Sequence, residues 1–308
     1  GLPRHYTAVR LPALAGSTQY ETGGFALNDR GQVVGQSEAS NGRPHPVLWQ
    51  NGKVIDLGVL PFGTEDEAGV ARDINNRGDV VGGSNGANGQ RAVLWRNGQI
   101  IDLGTLNGNP TFAYAINDNG QIVGTSHTPS GELRGFLWEN GRMRDLGIDG
   151  GVIPRDINNK GQVVGSLNFG DGGGRQQAFL WENGVVTRLS APGVSSSANA
   201  INDKGEIVGG YLIEVEVGAH PVRWYQGSMT ELGLLPKGNA GAALAINELG
   251  QIVGTSNVEP HSAAERGFIW WRGALHDLTR AGVPEAYGPG DINNRGQILS
   301  GDMLFNPA

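Results

Sequence analysis

The stretch Ala115-Ile116-Asn117-Asp118-Asn119-Gly120-Gln121-Ile122-Val123-Gly124 decides the fold, because the chain repeats it. Its core, Ile-Asn-x-x-Gly with Leu27 for Ile in the first copy, recurs seven times, and the turn glycines Gly31, Gly78, Gly120, Gly161, Gly205, Gly250 and Gly296 are spaced 41 to 47 residues apart. Six copies are followed by a Trp, which an aliphatic residue precedes in all but Arg223-Trp224. A unit of about 40 to 50 residues with several short strands cannot bury both faces of its own small sheet, so such units stack as propeller blades.

The third copy reads as a whole blade. Ala113 to Asn117 is a first strand, Asp118-Asn119-Gly120 a turn, and Gln121 to Gly124 a second strand. Gly135-Phe136-Leu137-Trp138 is a third strand, Asn140-Gly141 a tight hairpin, and Arg142 to Leu146 a fourth strand. Asn-x-x-Gly suits a type I turn whose last residue takes positive φ, and Asn-Gly suits a two-residue hairpin in which both residues do. The motif Asn and Gly residues are therefore read as scaffold.

Composition agrees with an all-β chain. The 308 residues include 52 Gly and 15 Pro, and no segment keeps a 3.6-residue apolar period, so no helix is expected. Apolar runs fall far short of the ~20 residues that cross a bilayer. The absence of cysteine excludes a disulfide framework and thiolate metal sites. A net charge of -7 without a clustered basic surface argues against a nucleic-acid partner. The sequence opens at Gly1 without a charged-then-apolar leader, which is read as a leader removed or never present.

Trp49, Trp95, Trp138, Trp181, Trp224 and Trp270 hold one position of the third strand, where packing between blades is the favoured reading over sugar stacking. Four residues before each stands a polar residue: His45, Arg91, Arg134, Gln177, His220 or Arg266. Period two places it on the same face as the Trp, and its recurrence points to a bond within the blade.

Arg134 to Gly141 followed by Asp145-Leu146-Gly147, together with Ala115 to Gly124, resembles the bacterial extracellular HAF repeat. That family is named for a His-Ala-Phe triplet ahead of Leu-Trp; here His45-Pro46-Val47, Arg91-Ala92-Val93, Gln177-Ala178-Phe179 and Arg266-Gly267-Phe268 fill its place. The resemblance covers essentially the whole chain. It implies an exported, secreted β-propeller and carries over no catalytic residues.

The seventh blade is split. Asp291-Ile292-Asn293, Gln297-Ile298-Leu299 and Met303-Leu304-Phe305 supply three strands, and the N-terminal Val9 to Gly16 matches the fourth strand and exit loop of other copies. The expectation is one domain, residues 1–308, forming a seven-bladed propeller of four-stranded antiparallel blades whose N-terminal strand completes the C-terminal blade. It is read as a monomer.

Variable loops, second-to-third and blade-to-blade, emerge on one face, and binding groups concentrate on such loops. The crossing from Leu57 to Asn75 carries Glu65, Asp66 and Glu67, and that from Leu11 to Asn28 carries Tyr20 and Glu21. Three residues before the motif Asn stand Phe25, Arg72, Tyr114, Arg155, Asn199, Leu244 and Gly290, a variety that no scaffold requires. Arg72, Tyr114 and Arg155, in consecutive blades, suit an anion or sugar hydroxyls at the channel mouth; alternatively the arginines pair with Asp73, Asp156 or Asp291. His127 and His261 are placed in second-to-third loops of blades too far apart for a shared metal. No metal or cofactor is expected, Ca²⁺ at the Glu65 to Glu67 run being the one alternative. Gly82-Gly83-Ser84-Asn85-Gly86 fits the Gly-x-Ser-x-Gly pattern but opens no helix, so it is not read as a nucleophile elbow.

The leading expectation is therefore a binding module for a carbohydrate or other small ligand, with Tyr20, Asp66, Arg72, Tyr114 and Arg155 as ligand contacts. A glycoside hydrolase would use Glu65 or Glu67 with Glu21; a polysaccharide lyase would use Tyr114 or His127 as base with the arginines neutralising a uronate. A protein-interaction scaffold is the third reading.

Overall fold

The computed structural model of the chain describes residues 1–15, 21–61, 67–86, 89–168, 174–213, 218–285 and 287–308. They form seven sheets of four antiparallel strands each, a seven-bladed β-propeller. No helix among the described residues is long and apolar enough to cross a membrane. Two compact units can be distinguished, Arg10–Asn159, and Lys160–Ala308 together with Gly1–Val9. A short 3-10 turn, Leu278–Ala281, is capped by Asp277 and Gly282.

Blade 3 shows how sequence sets the sheet. Its strands are Thr111–Ile116, Ile122–His127, Leu133–Glu139 and Arg142–Asp145, paired in that order. The hairpin residues Asn140 and Gly141 take φ 51° and 80°, as the two-residue turn demands.

The motif asparagines do more than turn the chain. Asn117 Oδ1 accepts the N–H groups of Asn119 at 3.1 Å and Gln121 at 2.9 Å. Its Nδ2 donates to Gln121 Oε1 at 2.7 Å and to the carbonyl of Asn158, the motif Asn of the next blade, at 2.9 Å. The same inter-blade bond runs from Asn28 to Asn75 and from Asn75 to Asn117, each at 3.0 Å. Within the other unit it runs from Asn202 to Asn247 at 3.1 Å and from Asn247 to Asn293 at 3.0 Å. Each amide is buried with two bonds accepted and two donated, so its hydrogen-bonding capacity is filled. A parallel row links the next residues: Asn76 N–H donates to Asp118 Oδ1, and Asp118 N–H to Asn159 Oδ1, both at 2.8 Å.

The tryptophans pack between blades as expected. Trp95 shares a core with Ala26 and Val34 of the preceding blade, and Trp138 with Val81 and Leu94. Their indole N–H groups reach the exit loop before their own blade: Trp49 donates to Pro12 O at 2.8 Å and Trp95 to Gly58 O at 2.9 Å. The polar residue four places earlier ties third strand to fourth. Arg91 grips Asp102 at 2.9 and 2.8 Å, Arg134 grips Asp145 at 2.8 and 3.1 Å, and His45 meets Asp56 at 2.9 Å.

In the seventh sheet, Tyr6–Arg10 pairs with Met303–Pro307 as the fourth strand, so the N-terminal strand completes the C-terminal blade. It starts earlier than the sequence match to Val9–Gly16 suggested, because the buried anchor is Tyr6, which packs with Ile298 and Phe305. Burial pushes the Tyr6 phenol from near 10 up to about 12. The unfolded chain therefore loses this proton first, and the contribution of Tyr6 to stability is complete below pH 10 and lost as pH rises towards 12. Chemical unfolding across that range should show a fall in stability that is smaller in Tyr6→Phe; equal slopes in both proteins would refute the assignment.

Candidate functional site

The first strands Gly23–Leu27, Gly69–Ile74, Thr111–Ile116 and Val152–Ile157 follow one another side by side within the unit Arg10–Asn159. In the first three, pairing with the second strand slips between Gly24 and Ala26, Ala71 and Asp73, and Ala113 and Ala115. The residues left over are Phe25, Arg72 and Tyr114. In the other unit the same slip leaves Asn199 and Leu244. The position that varies from blade to blade is thus a bulge residue, released from the ladder and with its side chain re-aimed. That release explains why the repeat tolerates Phe, Arg, Tyr, Asn and Leu at one place.

Arg72 is exposed, with its guanidinium carbon 5.3 Å from the centre of the Phe25 ring. This cation–π contact holds the stem while leaving N–H donors at the guanidinium edge. Tyr114 is half-buried and stacks on Phe112 with ring centres 6.3 Å apart; its hydroxyl accepts from Thr125 Oγ1 at 3.5 Å. Arg155 reaches water, yet the protein around it lowers its pKa below the ordinary arginine value, an effect the Tyr114 hydroxyl partly offsets. A cavity of about 80 Å³ opens between blades 2 and 3, walled by Arg72, Gln90, Phe112 and Tyr114.

Among the described residues neither Arg72 nor Arg155 forms an ion pair. The neighbouring aspartates serve the backbone instead. Asp73 accepts from Ile74 N and, across to the next blade, from Ile116 N, both at 2.9 Å. Asp156 and Asp291 accept the N–H of Ile157 and Ile292, each at 2.9 Å. The structure thus brings Arg72 and Tyr114 to one cavity, adds Phe25 and Phe112, which the sequence reading did not select, and sets Arg155 on the adjoining first strand. Period two along the strand is the signal that would have found Phe112, two residues before Tyr114.

The other candidates do not converge with them. Tyr20, Glu65 and Asp66 lie outside the described residues. Glu21 is exposed; Glu67 is half-buried, and its carbonyl accepts from Asn41 Nδ2 at 2.9 Å. His127 is corrected from a loop to the last residue of Ile122–His127, where its Nδ1 donates to Pro110 O at 3.0 Å, because the strand pairing extends to Leu133. His261 does lie in a loop, at φ 60°. Among the described residues no three His, Asp or Glu are grouped to hold a metal. Ser84 is fully buried and accepts from Leu60 N at 2.9 Å; Ser37, Ser126 and Ser256 clip Leu14, Leu106 and Leu235 in the same way. The Gly-x-Ser-x-Gly run is such a clip.

No family model matches the chain, and no curated protein matches it significantly. Solved structures do. A Mycobacterium tuberculosis puromycin-hydrolyzing peptidase is 13% identical with a TM-score of 0.59 over 99% of this chain and 54% of its own. YCF48 bound to D1 peptide is 13% identical with a TM-score of 0.60, covering 100% of this chain and 98% of that one. The β-propeller domain of the Trilobed protease from Pyrococcus furiosus, described as having an open velcro topology, is 11% identical with a TM-score of 0.51 over 75% of this chain and 76% of that one. The chain spans about half the length of the peptidase. At these identities the likeness is one of fold.

Proposed function

We propose that the protein is an extracellular binding protein whose ligand is an acidic carbohydrate, held by Arg72, Tyr114 and Arg155. The observation that carries this is the pair of guanidiniums without a carboxylate partner among the described residues, on strands either side of the Tyr114 strand. For Arg155 a partly desolvated cation without a counter-charge among the described residues is costly, and a ligand carboxylate offsets that cost while accepting the forked N–H donors of either arginine. The stacked rings of Phe112 and Tyr114 offer an apolar surface to a sugar ring. The extracellular location rests on the resemblance to the exported HAF repeat.

Titration calorimetry with uronate-containing and neutral polysaccharides tests the reading. Arg72→Ala and Arg155→Ala should each weaken uronate binding by about 10- to 150-fold, the worth of a charge-assisted hydrogen bond. Unchanged affinity in both variants, or binding of acidic peptides in preference to uronates, would overturn it. The proximity of the Tyr114 phenol to Arg155 supports a second reading, a lyase in which Tyr114 abstracts the proton beside the uronate carboxyl. Incubation with uronate polysaccharides, with and without Ca²⁺, then yields unsaturated fragments by mass spectrometry. A hydrolase has less support, since Glu21 and Glu67 are not brought to Tyr114 or to either arginine by any described contact.

A further inference from the structure

Blade 5 departs from the other blades at one place where it loses atoms. Opposite the residue three before each motif Trp, the second strand carries Gln36 in blade 1, Thr125 in blade 3, Ser166 in blade 4 and Thr255 in blade 6. Blades 2 and 5 carry glycine there, Gly83 and Gly210. In blade 2 the space is taken by a neighbour, since a Cβ on Gly83 would fall 1.9 Å from the amide nitrogen of Gln90. In blade 5 no described side chain takes the space: a Cβ on Gly210 would meet only the His220 carbonyl oxygen closely, at 3.1 Å, a contact that asks that strand to give by a few tenths of an ångström.

The result is an open pocket of about 160 Å³, twice that of blade 2 and several times the ~30 Å³ share of one water molecule. No charged side chain lines it among the described residues. One wall is polar. Ser197 Oγ donates to Asn199 Oδ1 at 3.2 Å, and Asn199 Nδ2 donates to Ala243 O at 2.9 Å. These bonds leave the Ser197 lone pairs, one N–H and one lone pair of Asn199 for a ligand. The apolar lining comes from Leu212, which is 42% exposed, with Ala219 and Ala242. A well-packed repeat does not leave such a hollow without loss of dispersion contacts, and no described side chain of the lining offers a charge to pair with an ion.

We infer that blade 5 holds a second ligand site, over Gly210, for one ring of a neutral sugar: hydroxyls on Ser197 and Asn199, the ring's C–H face on Leu212 and the alanines. The site lies within the unit Lys160–Ala308 and does not depend on the arginine site in the other unit.

The test is saturation-transfer NMR and titration of the whole chain with glucose, galactose, mannose and N-acetylglucosamine, with glucuronate as the charged control. Binding of at least one neutral sugar, in preference to glucuronate, is expected. Gly210→Gln, copying Gln36, which already faces Pro46 as Gly210 faces Pro221, should weaken it at least tenfold while uronate binding is retained. If Gly210→Gln fails to fold, Gly210→Ser copies Ser166 and Asn199→Ala removes the polar wall, and either should lower the affinity. Binding of none of the four sugars, or binding indifferent to these variants, overturns the inference. Loss of uronate binding in Arg72→Ala is a separate result and bears on the arginine site alone.

Discussion

Asn117→Ala is expected to lower the free energy of unfolding by about 3 to 5 kcal/mol, and Asn117→Asp by at least as much. Alanine leaves one buried and two part-buried backbone groups without their side-chain partner: the acceptor lone pair of Asn158 O, and the N–H groups of Asn119 and Gln121. Each buried group left unpaired costs ~1 to 3 kcal/mol, and partial rewetting keeps the sum below the simple total. Aspartate separates two explanations. If the residue served only its own turn, Asp would keep both accepted bonds and be nearly neutral, as it is in many Asx turns. In the observed arrangement Asp loses the Nδ2 donor and sets a carboxylate oxygen against the Asn158 carbonyl and Gln121 Oε1. Urea unfolding of both variants decides it, and an Asp variant within about 0.5 kcal/mol of the parent would reduce the inter-blade bond to a bystander.

Deletion of residues 1–14 is expected to cost more than about 5 kcal/mol, enough to bring a fold of ordinary stability, ~5 to 15 kcal/mol, close to unfolding. The loss has several sources. Tyr6 and Leu11 are 3% and 4% exposed, and burial of each side chain is worth ~1.5 to 3 kcal/mol. Trp49 loses its acceptor at Pro12 O, and Ser37 loses the Leu14 N–H. The strand Met303–Pro307 becomes a bare edge, open to pairing with another chain. Calorimetry of the truncated protein, alone and with the 1–14 peptide added back, should show a large drop in melting temperature and partial recovery. An unchanged melting temperature would mean that the N-terminal strand is incidental.

Much of this architecture was legible because the signals are local. Turn chemistry at Asn140-Gly141, alternation along Gly135 to Trp138 and the period of the glycines all report on neighbours in sequence, and the strands lie where they pointed. What the sequence hid depends on partners about 40 residues away. The Asn117 turn reads the same whether or not its Nδ2 reaches Asn158, so the motif was taken for a turn alone. The site was legible only as deviation: Arg72 and Tyr114 stood out, but the bulge that releases them is a slip in pairing that no residue type announces. Gly210 passed unnoticed for the opposite reason. A glycine among 52 is unremarkable until its register shows that Thr125 and Thr255 hold its place elsewhere.

The asparagine bond has a direction, from the side chain of one copy to the backbone of its successor, and donor and acceptor belong to the same residue type in each of the five links described. Any copy can therefore follow any other without a new partner having to arise. Duplication or loss of one whole repeat in the gene leaves every remaining link with a donor and an acceptor, whereas a break inside a repeat leaves both ends unmatched. Inheritance by whole modules is thus built into the bonding, and the bulge residues are free to change while the linkage passes unaltered from copy to copy.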